Sequence, residues 1–431
     1  MDNKKITLSN DFGKLQEEPT RLDDATGILY DFNCGCRFKL PKDGLWDVII
    51  SNSVTGDVFL HEKMPGGSGF IFPFHYYIPF TMEITDASAG KSFKHTMNLK
   101  GEKVAFKMMQ RTLGDPLYMM AGILKFIDIH SCHAIIYAST RINEILAPCY
   151  PHIEFKPLLE EDVTIPYATY YMGLFFNQDH HWQPYDFRTY SLIQQGQHIL
   201  GLNDFEKLPP PEVKGAETNP LGDKPEPYVA ISYTGSKQCK FWNNPLGWYE
   251  VVKYLKGQGL RVICIDRDPA YGIAPLVNIM PPGVEDYTGN LPLSNRVAIL
   301  KGAKFFIGTP SGLAALAWCC RIPVIMISGF SLPFAEFDCY RVINPLSECK
   351  GCWNDTRIDF NHHEMHWCPR IDPQIKAKQY EIDKEELSEK PNKERLAALR
   401  VEMQELQNKK FICTKSITSN MVIAKIKEIM Q

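Results

Sequence analysis

Short apolar runs separated by turn residues fill the first hundred positions of the chain. The runs 44–51, 57–62 and 69–85 are rich in β-branched and aromatic residues, and Pro65-Gly66-Gly67 separates the last two. Runs of this kind bounded by glycine and proline are typical of strands joined by tight turns. Residues 1–100 are therefore predicted to form a small antiparallel β-rich module.

After Gly101 the pattern changes, and predicted strands alternate with predicted helices. An apolar strand is predicted over 103–110, a helix over 116–130 and a further strand over 133–139. This β-α-β order predicts parallel strands with helices packed against the sheet. Residues 101–210 are thus expected to form a doubly wound, Rossmann-like lobe.

A proline-rich segment then separates this lobe from a second one. Residues 207–227 show no apolar periodicity and are predicted to be a linker. Strands alternate with helices again over 228–345, which predicts a second Rossmann-like lobe. Ligands of open parallel sheets bind beyond the carboxyl ends of the strands, so two such lobes favour a nucleotide-containing ligand.

The last part of the chain departs from this rhythm. Residues 346–413 contain clustered cysteines and a highly charged stretch, and 414–431 are predicted to be a C-terminal helix. Within 376–410, four apolar residues recur at helical spacing, which predicts an amphipathic arm with a solvated face. These residues are Leu396, Leu399, Met403 and Leu406.

The composition is that of a globular protein. The 431 residues are 44% hydrophobic and 23% charged, and the net charge of -3 argues against a globally basic nucleic-acid binder. The sequence shows neither a secretory signal, a membrane span nor a lipidation motif. With 13 cysteines, the chain is expected in a reducing cytoplasm, with its cysteines as thiols or metal ligands.

Four of the cysteines have the spacing of a metal site. Cys349 and Cys352 form a CxxC knuckle, and Cys368 and Cys413 follow at longer intervals. Four thiolates complete a tetrahedron and leave no open position, which predicts a structural metal, with Zn²⁺ as the default and iron as the competitor. The nearby His363-Glu364-Met365-His366 lacks the spacing of an HExxH zinc protease motif, so loop histidines are expected there.

Two strand-to-helix turns of the second lobe are candidates for phosphate contacts. The turn at 309–312 offers free N–H groups at a helix start, a serine hydroxyl and a bare glycine. The segment 234–248 follows the first strand of this lobe, and Lys240 there could neutralise charge on a leaving diphosphate. The predicted donor-binding residues are Thr234, Ser236, Lys240, Thr309, Ser311, Gly312 and Leu313.

One carboxylate occupies a comparable turn in the first lobe. Asp115 follows Gly114 at the predicted start of a helix, where an acidic residue is commonly only a cap. If the protein binds a sugar nucleotide, Asp115 could instead accept a proton from an acceptor hydroxyl.

Three of these segments resemble a known enzyme family. LGDPLYMMAGILKF (113–126), KQCKFWNNPLGW (237–248) and the stretch 286–318 resemble the Gly-Asp turn, the Lys-x-Trp-Pro segment and the nucleotide-binding stretch of ADP-heptose:lipopolysaccharide heptosyltransferases. The knuckle CKGCWND, with HWCPR and FICT, is not a feature of the lipopolysaccharide enzymes. It resembles the bacterial autotransporter heptosyltransferases, which O-glycosylate serines of adhesin autotransporters, and the β-rich module fits that branch.

The resemblance implies a GT-B fold, an ADP-glycero-manno-heptose donor and inverting transfer to serine hydroxyls of an autotransporter passenger. It implies Asp115 as the catalytic base, Lys240 as a phosphate contact and 311–313 as the nucleotide turn. No catalytic divalent cation is needed if these groups supply the positive potential. The resemblance further implies a structural Fe(III) in place of zinc on the four cysteines, and a large homo-oligomer such as a dodecamer. The cysteines concerned are Cys349, Cys352, Cys368 and Cys413.

One motif departs from the family pattern. The lipopolysaccharide enzymes carry Asp-Thr-Gly-Leu-x-His where this chain has Pro310-Ser311-Gly312-Leu313-Ala314-Ala315. The missing aspartate and histidine bear on donor contact and on the identity of the sugar.

Three alternatives stay open at the level of the sequence. The first is another GT-B glycosyltransferase with a different nucleotide sugar. The second is a four-cysteine electron carrier, which would need a second CxxC knuckle. The third is a zinc module that binds nucleic acid, which would need a basic, aromatic-rich face; the arm beside the cysteines mixes both signs of charge, so no nucleic-acid partner is expected.

Overall fold

The computed structural model describes residues 18–158, 165–176, 180–222 and 226–431. The chain divides into two compact units, Met1–Lys214 and Gly215–Gln431. The boundary between them lies inside the proline-rich segment 207–227.

Two four-stranded antiparallel sheets form the N-terminal part of the first unit. Their strand orders are β1-β2-β3-β6 and β5-β4-β7-β8. The strands are β1 (Arg21–Leu22), β2 (Leu29–Asp31), β3 (Arg37–Lys39), β4 (Leu45–Asn52), β5 (Val58–Pro65), β6 (Gly69–Ile71), β7 (Phe80–Asp86) and β8 (Lys91–Thr96).

The central pair β4 and β7 shows why these residues form a half-buried sheet. Trp46, Val48 and Ile50 alternate along β4 and are almost completely buried, and Ile84 of β7 lies opposite Val48. A period of two places these side chains on one face, where each large apolar side chain contributes about 1.5–3 kcal/mol on burial.

The predicted strand run 69–85 is wrong in its middle. Strand β6 ends at Ile71 and β7 begins at Phe80, and the residues between them form no strand. Pro73 and Pro79 lack the N–H that a sheet ladder needs. The amide groups of His75 and Tyr77 instead donate to the carbonyl oxygens of His181 and Ile199, at 2.7 and 2.8 Å.

A parallel sheet follows within the same unit, as the β-α-β pattern predicts. Its strand order is β11-β10-β9-β12, and all three pairings are parallel. The strands are β9 (Lys103–Met108), β10 (His133–Ala138), β11 (Glu154–Pro157) and β12 (Ala168–Met172). The helices are α1 (Gly114–His130), α2 (Thr140–Leu146) and α3 (Leu192–Ile199).

The antiparallel part and the parallel sheet are joined by a short polar seam. Phe32 makes a parallel bridge to Ala168 at the start of β12. The side chain of Asn33 donates to the carbonyl oxygen of Pro166 at 2.9 Å and accepts from the hydroxyl of Thr169 at 2.8 Å. These buried contacts hold both sheets in one compact unit.

The second unit contains a six-stranded parallel sheet of order β17-β14-β13-β18-β19-β20 and a separate hairpin of β15 and β16. The strands are β13 (Tyr228–Ser232), β14 (Arg261–Cys264), β15 (Ala270–Ile273), β16 (Leu276–Ile279), β17 (Glu285–Asp286), β18 (Phe306–Gly308), β19 (Val324–Ile327) and β20 (Tyr340–Val342). The helices between the strands are α4 (Gly247–Gly257), α5 (Leu293–Gly302) and α6 (Gly312–Cys319).

The chain ends in a helical region. Its helices are α7 (Asp372–Glu386), α8 (Lys393–Lys409), α9 (Ile412–Lys415) and α10 (Ser419–Met430). The predicted arm 376–410 is therefore two helices, since Asn392 caps a new helix by accepting from the amides of Glu394 and Arg395 at 3.0 and 3.1 Å. Leu399 and Met403 of α8 are buried against Ile382 of α7.

Candidate functional site

The loop after β13 and the turn after β18 meet at the carboxyl end of the parallel sheet. The hydroxyl of Thr309, which is fully buried, donates to the carbonyl oxygen of Thr234 at 3.0 Å. A Cβ on Gly235 would lie 3.3 Å from the Cβ of Lys240 and 3.5 Å from the Thr309 hydroxyl, so glycine permits this close approach. The structure therefore brings these predicted donor residues together, while Ser236 is exposed beside them.

Ser311 lies at the start of helix α6 and has a buried hydroxyl group. Its backbone is extended, and its carbonyl oxygen accepts from the amide of Ala315 at 3.2 Å. Its Oγ is buried and has no hydrogen-bond partner among the described residues. A buried hydroxyl without a partner, next to the free N–H groups of Gly312 and Leu313, provides the donor set that a phosphate oxygen requires.

Lys240 lies over aromatic rings on the other side of the loop. Its Nζ is 5.7 Å from the ring centre of Phe330 and 5.9 Å from that of Trp353. Among the described residues, no carboxylate forms an ion pair with this ammonium group. The positive charge is therefore held by cation–π contacts and is available to an anion.

Asp266, which the sequence analysis did not select, binds the residues that lead into the same loop. It follows β14, is 2% exposed, and accepts hydrogen bonds from the Ser232 hydroxyl at 2.6 Å and the Tyr233 amide at 2.9 Å. Burial raises the pKa of its carboxyl group, and hydrogen bonds from Ser232 and Thr234 oppose that rise. The sequence did offer one indication of this residue. Asp266 lies two residues after the buried strand β14, which pairs with β13, and β13 leads into the loop 233–246 that carries Lys240 (the donor loop).

Two of the four predicted metal cysteines lie in one apolar cluster of the second unit. Cys352 and Cys368 are buried with Trp367, Phe411 and Cys239 of the donor loop. Cys413 is also buried, whereas Cys349 is half-buried. The cluster thus places the knuckle directly against the segment that carries Lys240.

Local backbone geometry explains how the chain forms this cluster. Gly351, between the first two cysteines, has φ +72°, and its amide donates to the carbonyl oxygen of Gly329 at 2.8 Å. A Cβ on Gly329 would lie only 2.3 Å from the carbonyl oxygen of Cys413, so this position requires glycine. The amide of Cys368 donates to Asp372 at 2.6 Å, which orients the third cysteine.

The four thiols interact electrostatically. A hydrogen bond between Cys349 and Cys413 lowers the pKa of Cys349 and raises that of Cys413. Burial raises the pKa of Cys352 to about 11, and the charge of Cys349 adds to the rise. Four thiols are the donor set of a soft, thiolate-bound metal. Over the described ranges, no group of three or more His, Cys, Asp or Glu side chains has the geometry of a ready metal site.

The neighbouring histidine segment is irregular, as expected of loop histidines. Glu364 accepts the backbone amide of His366 at 2.9 Å, and residues 361–367 form no helix. An HExxH protease needs both histidines on one helical face, which this segment does not offer.

Asp115 lies in the first unit, in the first turn of α1. It is half-buried and accepts a hydrogen bond from the Thr112 hydroxyl at 2.7 Å. Its negative charge lies at the positive end of the helix, which is a favourable placement. The structure therefore places the predicted base in one unit and the predicted donor residues in the other.

Comparison with known proteins identifies two matching family models. Residues 25–88 match the N-terminal domain of glycosyltransferase TibC, and residues 178–334 match glycosyltransferase family 9 (heptosyltransferase). The chain has the GT-B-like α/β fold of that family, preceded by a β-rich domain. No helix in the part of the chain described here has the length and apolar character needed to span a bilayer.

Individual relatives cover most of the chain. The autotransporter heptosyltransferase TibC of Escherichia coli O78:H11 is 38% identical over 84% of this chain and 88% of its own length. The autotransporter heptosyltransferase BAHTCr of Citrobacter rodentium is 39% identical over 84% of this chain and 87% of its own length. A crystal structure of dodecameric, iron-containing TibC in complex with ADP-D-β-D-heptose covers 97% of this chain and 99% of its own, with a TM-score of 0.81 and 33% identity.

Proposed function

Because the chain belongs to the autotransporter heptosyltransferases of glycosyltransferase family 9, we propose that it transfers heptose from ADP-glycero-manno-heptose to serine hydroxyls of an autotransporter adhesin. The observation that carries the donor assignment is the convergence of two turns at one sheet edge. Thr234 and Thr309 join these turns, and the buried Ser311 hydroxyl lies at the adjoining helix start. The TibC structure with ADP-heptose supports the same donor.

The proposed reaction is an inverting displacement. Asp115 removes the proton from the acceptor serine while the serine oxygen attacks the anomeric carbon on the face opposite the diphosphate. The bond between that carbon and the diphosphate oxygen breaks, and ADP leaves with the bonding electrons. Asp115 carries the proton until solvent takes it up.

Charge on the departing ADP is balanced by groups already present in the loop. Lys240 supplies one positive charge, and the N-terminal amides of α6 with the Ser311 hydroxyl supply hydrogen bonds. These groups act without a catalytic divalent cation in the proposed mechanism. Pro310 and Ala315 replace the aspartate and histidine of the lipopolysaccharide enzymes, so Ser311 takes a larger share of donor contact.

We also propose that the four clustered cysteines hold a structural Fe(III), since the TibC structure is described as iron-containing. The bound metal would cross-link the segment and stabilise its fold. The residues concerned are Cys349, Cys352, Cys368 and Cys413.

We infer the oligomeric state from the relatives and the cellular location from the cysteines. TibC is dodecameric, and we infer a large homo-oligomer such as a dodecamer for this chain. None of the 13 cysteines forms a disulfide in the structure, and we propose a reducing cytoplasm as the location.

The proposed function is tested by incubating the protein with ADP-heptose and a candidate autotransporter passenger, followed by intact mass measurement of the passenger. We expect mass increments of one heptose, and peptide mapping should place them on serines. Increments only with another sugar nucleotide would replace the donor, and no increment with any donor would refute the transfer. Parallel reactions with other sugar nucleotides provide that comparison.

The role of Asp115 is tested with Asp115→Asn, using Asp128→Asn on the same helix as the matched control. Asp128 is exposed near the end of α1. Loss of a catalytic base should lower turnover by about 10²–10⁴-fold, while ADP binding and thermal stability stay unchanged. Near-normal turnover in Asp115→Asn would exclude it as the base, and a similar loss in Asp128→Asn would indicate a general effect on the helix.

A further inference from the structure

Lys237 is a buried lysine in the donor loop that the mechanism above does not use. It is 5% exposed, although it lies between the half-exposed Thr234 and Lys240. Lysine is almost never fully buried unless its charge is paired. Among the described residues no carboxylate forms an ion pair with Lys237, so its ammonium group must be stabilised in another way.

The ammonium group of Lys237 contacts the cysteine-bearing segment. Its Nζ donates to the carbonyl oxygen of Glu364 at 2.8 Å and lies 5.4 Å from the ring centre of Phe360. The next amide, of Gln238, donates to the carbonyl oxygen of Met365 at 3.1 Å. The side chain of Lys237 and the next backbone amide therefore both bind the stretch Glu364–Met365.

Lys240 ends the short turn that begins after Lys237. The amide of Lys240 donates to the carbonyl oxygen of Lys237 at 3.0 Å and closes a single 3₁₀ turn over Gln238–Lys240. A 3₁₀ turn is short and has few hydrogen bonds of its own, so outside contacts decide where it lies.

The aromatic rings under the two lysines also contact each other. Phe360, under Lys237, lies 5.5 Å from Trp353 and 6.1 Å from Phe330, measured between ring centres, and these two rings lie under Lys240. One aromatic cluster therefore supports both ammonium groups. Burial lowers the pKa of Lys237, the charges of Cys239 and Glu364 oppose this shift, and the charge of Lys240 adds to it.

We propose that Lys237 is a positioning residue for donor binding, which fastens the turn Gln238–Lys240 to the segment around Glu364 and so fixes Lys240 where the donor diphosphate binds. This inference rests on the proposed role of Lys240 in the proposed function. Lys237 itself does not touch the donor, because its ammonium group is buried and directed at the Glu364 carbonyl oxygen.

The test is a double-mutant cycle on ADP affinity, measured by calorimetry on the purified full-length protein. Lys237→Met removes the charge and the hydrogen bond and keeps the length of the side chain. Lys240→Met removes the proposed phosphate contact. Loss of one hydrogen bond to a charged group should weaken ADP binding about tenfold to a hundredfold in each single variant.

The cycle separates positioning from direct contact. If Lys237 acts through Lys240, the double variant should bind ADP as weakly as Lys240→Met alone, because residues that share one interaction are not additive. Lys237→Arg, which can still donate to the Glu364 carbonyl oxygen, should recover most of the affinity. Thermal unfolding of each variant, with Lys253→Met on α4 as an exposed control, checks that the fold persists.

Three results would overturn the inference. Additive losses would show that Lys237 contacts the diphosphate itself. Unchanged affinity in Lys237→Met, with a clear loss in Lys240→Met, would show that the fastening does not matter to the donor. Absence of ADP binding in the unmutated protein would refute the proposed function, and the role of Lys237 with it.

Discussion

The hydrogen bonds around Asp266 lead to a quantitative prediction for Asp266→Asn. This carboxylate is 2% exposed and accepts the Ser232 hydroxyl at 2.6 Å and the Tyr233 amide at 2.9 Å. The substitution keeps the shape of the side chain and turns one acceptor oxygen into a donor NH₂ group. The remaining oxygen can still accept from the Tyr233 amide, but the NH₂ group faces the Ser232 hydroxyl, which must turn from donor to acceptor, and both hydrogen bonds lose their charged partner.

The expected cost follows from the loss of the charged acceptor. A hydrogen bond to a charged group contributes about 1.5–3 kcal/mol and a neutral one about 0.5–1.5 kcal/mol, so weakening both hydrogen bonds should lower the free energy of unfolding by about 2 kcal/mol in Asp266→Asn. For a unit the size of Gly215–Gln431 this corresponds to about 4–8 °C in Tm. Because Asp266 holds the backbone that leads to Thr234, the KM for the sugar nucleotide should rise more than kcat falls.

The assay is differential scanning calorimetry with steady-state kinetics on the same preparations. Asp286→Asn is the matched control, because Asp286 also ends a parallel strand and accepts the Thr288 amide at 2.8 Å, but is exposed. Surface substitutions of this kind change stability by within about 0.5 kcal/mol. If Asp266→Asn shifts Tm no more than Asp286→Asn and leaves the KM unchanged, the hydrogen bonds to Asp266 do not hold the loop.

Two further predictions concern other parts of the molecule. Gly329→Ala should lower Tm and the content of bound iron, because the added Cβ would lie 2.3 Å from the Cys413 carbonyl oxygen and overpacking costs about 1–3 kcal/mol. Calorimetry and elemental analysis measure the two quantities, and values equal to those of the unmutated protein would contradict this prediction. Gly257→Ala is the control, because its Cβ would have nothing within 4 Å. Burial, assisted by Arg21, lowers the pKa of His95 below its usual value, so the stability it contributes is complete above about pH 6.5 and is lost as pH falls through the lowered pKa. Urea denaturation at about pH 7.5 and about pH 5.5 should show a smaller loss in His95→Gln than in the unmutated protein, and an equal loss would contradict the assignment.

Much of the parallel architecture could be predicted because it is written in local patterns. Strands β9, β10, β18 and β19 are short buried apolar runs next to turn residues. Their alternation with helices along the chain is sufficient to predict a parallel sheet. The segment 72–79 was mispredicted as strand because two of its residues are prolines and the amides of His75 and Tyr77 donate to His181 and Ile199 rather than to a neighbouring strand. Aromatic content alone does not reveal where an amide finds its acceptor.

The candidate site shows the same division. Thr309, Ser311 and Lys240 could be selected because a helix start and a loop lysine are recognisable in sequence. Asp266 and Lys237 could not, because an aspartate or lysine in a loop is usually solvated, and only the fold shows that both are buried and whose groups they bind.

The sequence by itself determined the order of strands and helices, the cysteine spacing and the motifs that indicate a heptosyltransferase. These features depend on neighbours along the chain, so residue type and spacing are enough to recognise them. The tertiary structure alone decided that the Glu364 segment fastens the loop carrying Lys240 and that Cys413 packs against Gly329. Those contacts join residues more than 80 positions apart, and their geometry depends on how every intervening element packs.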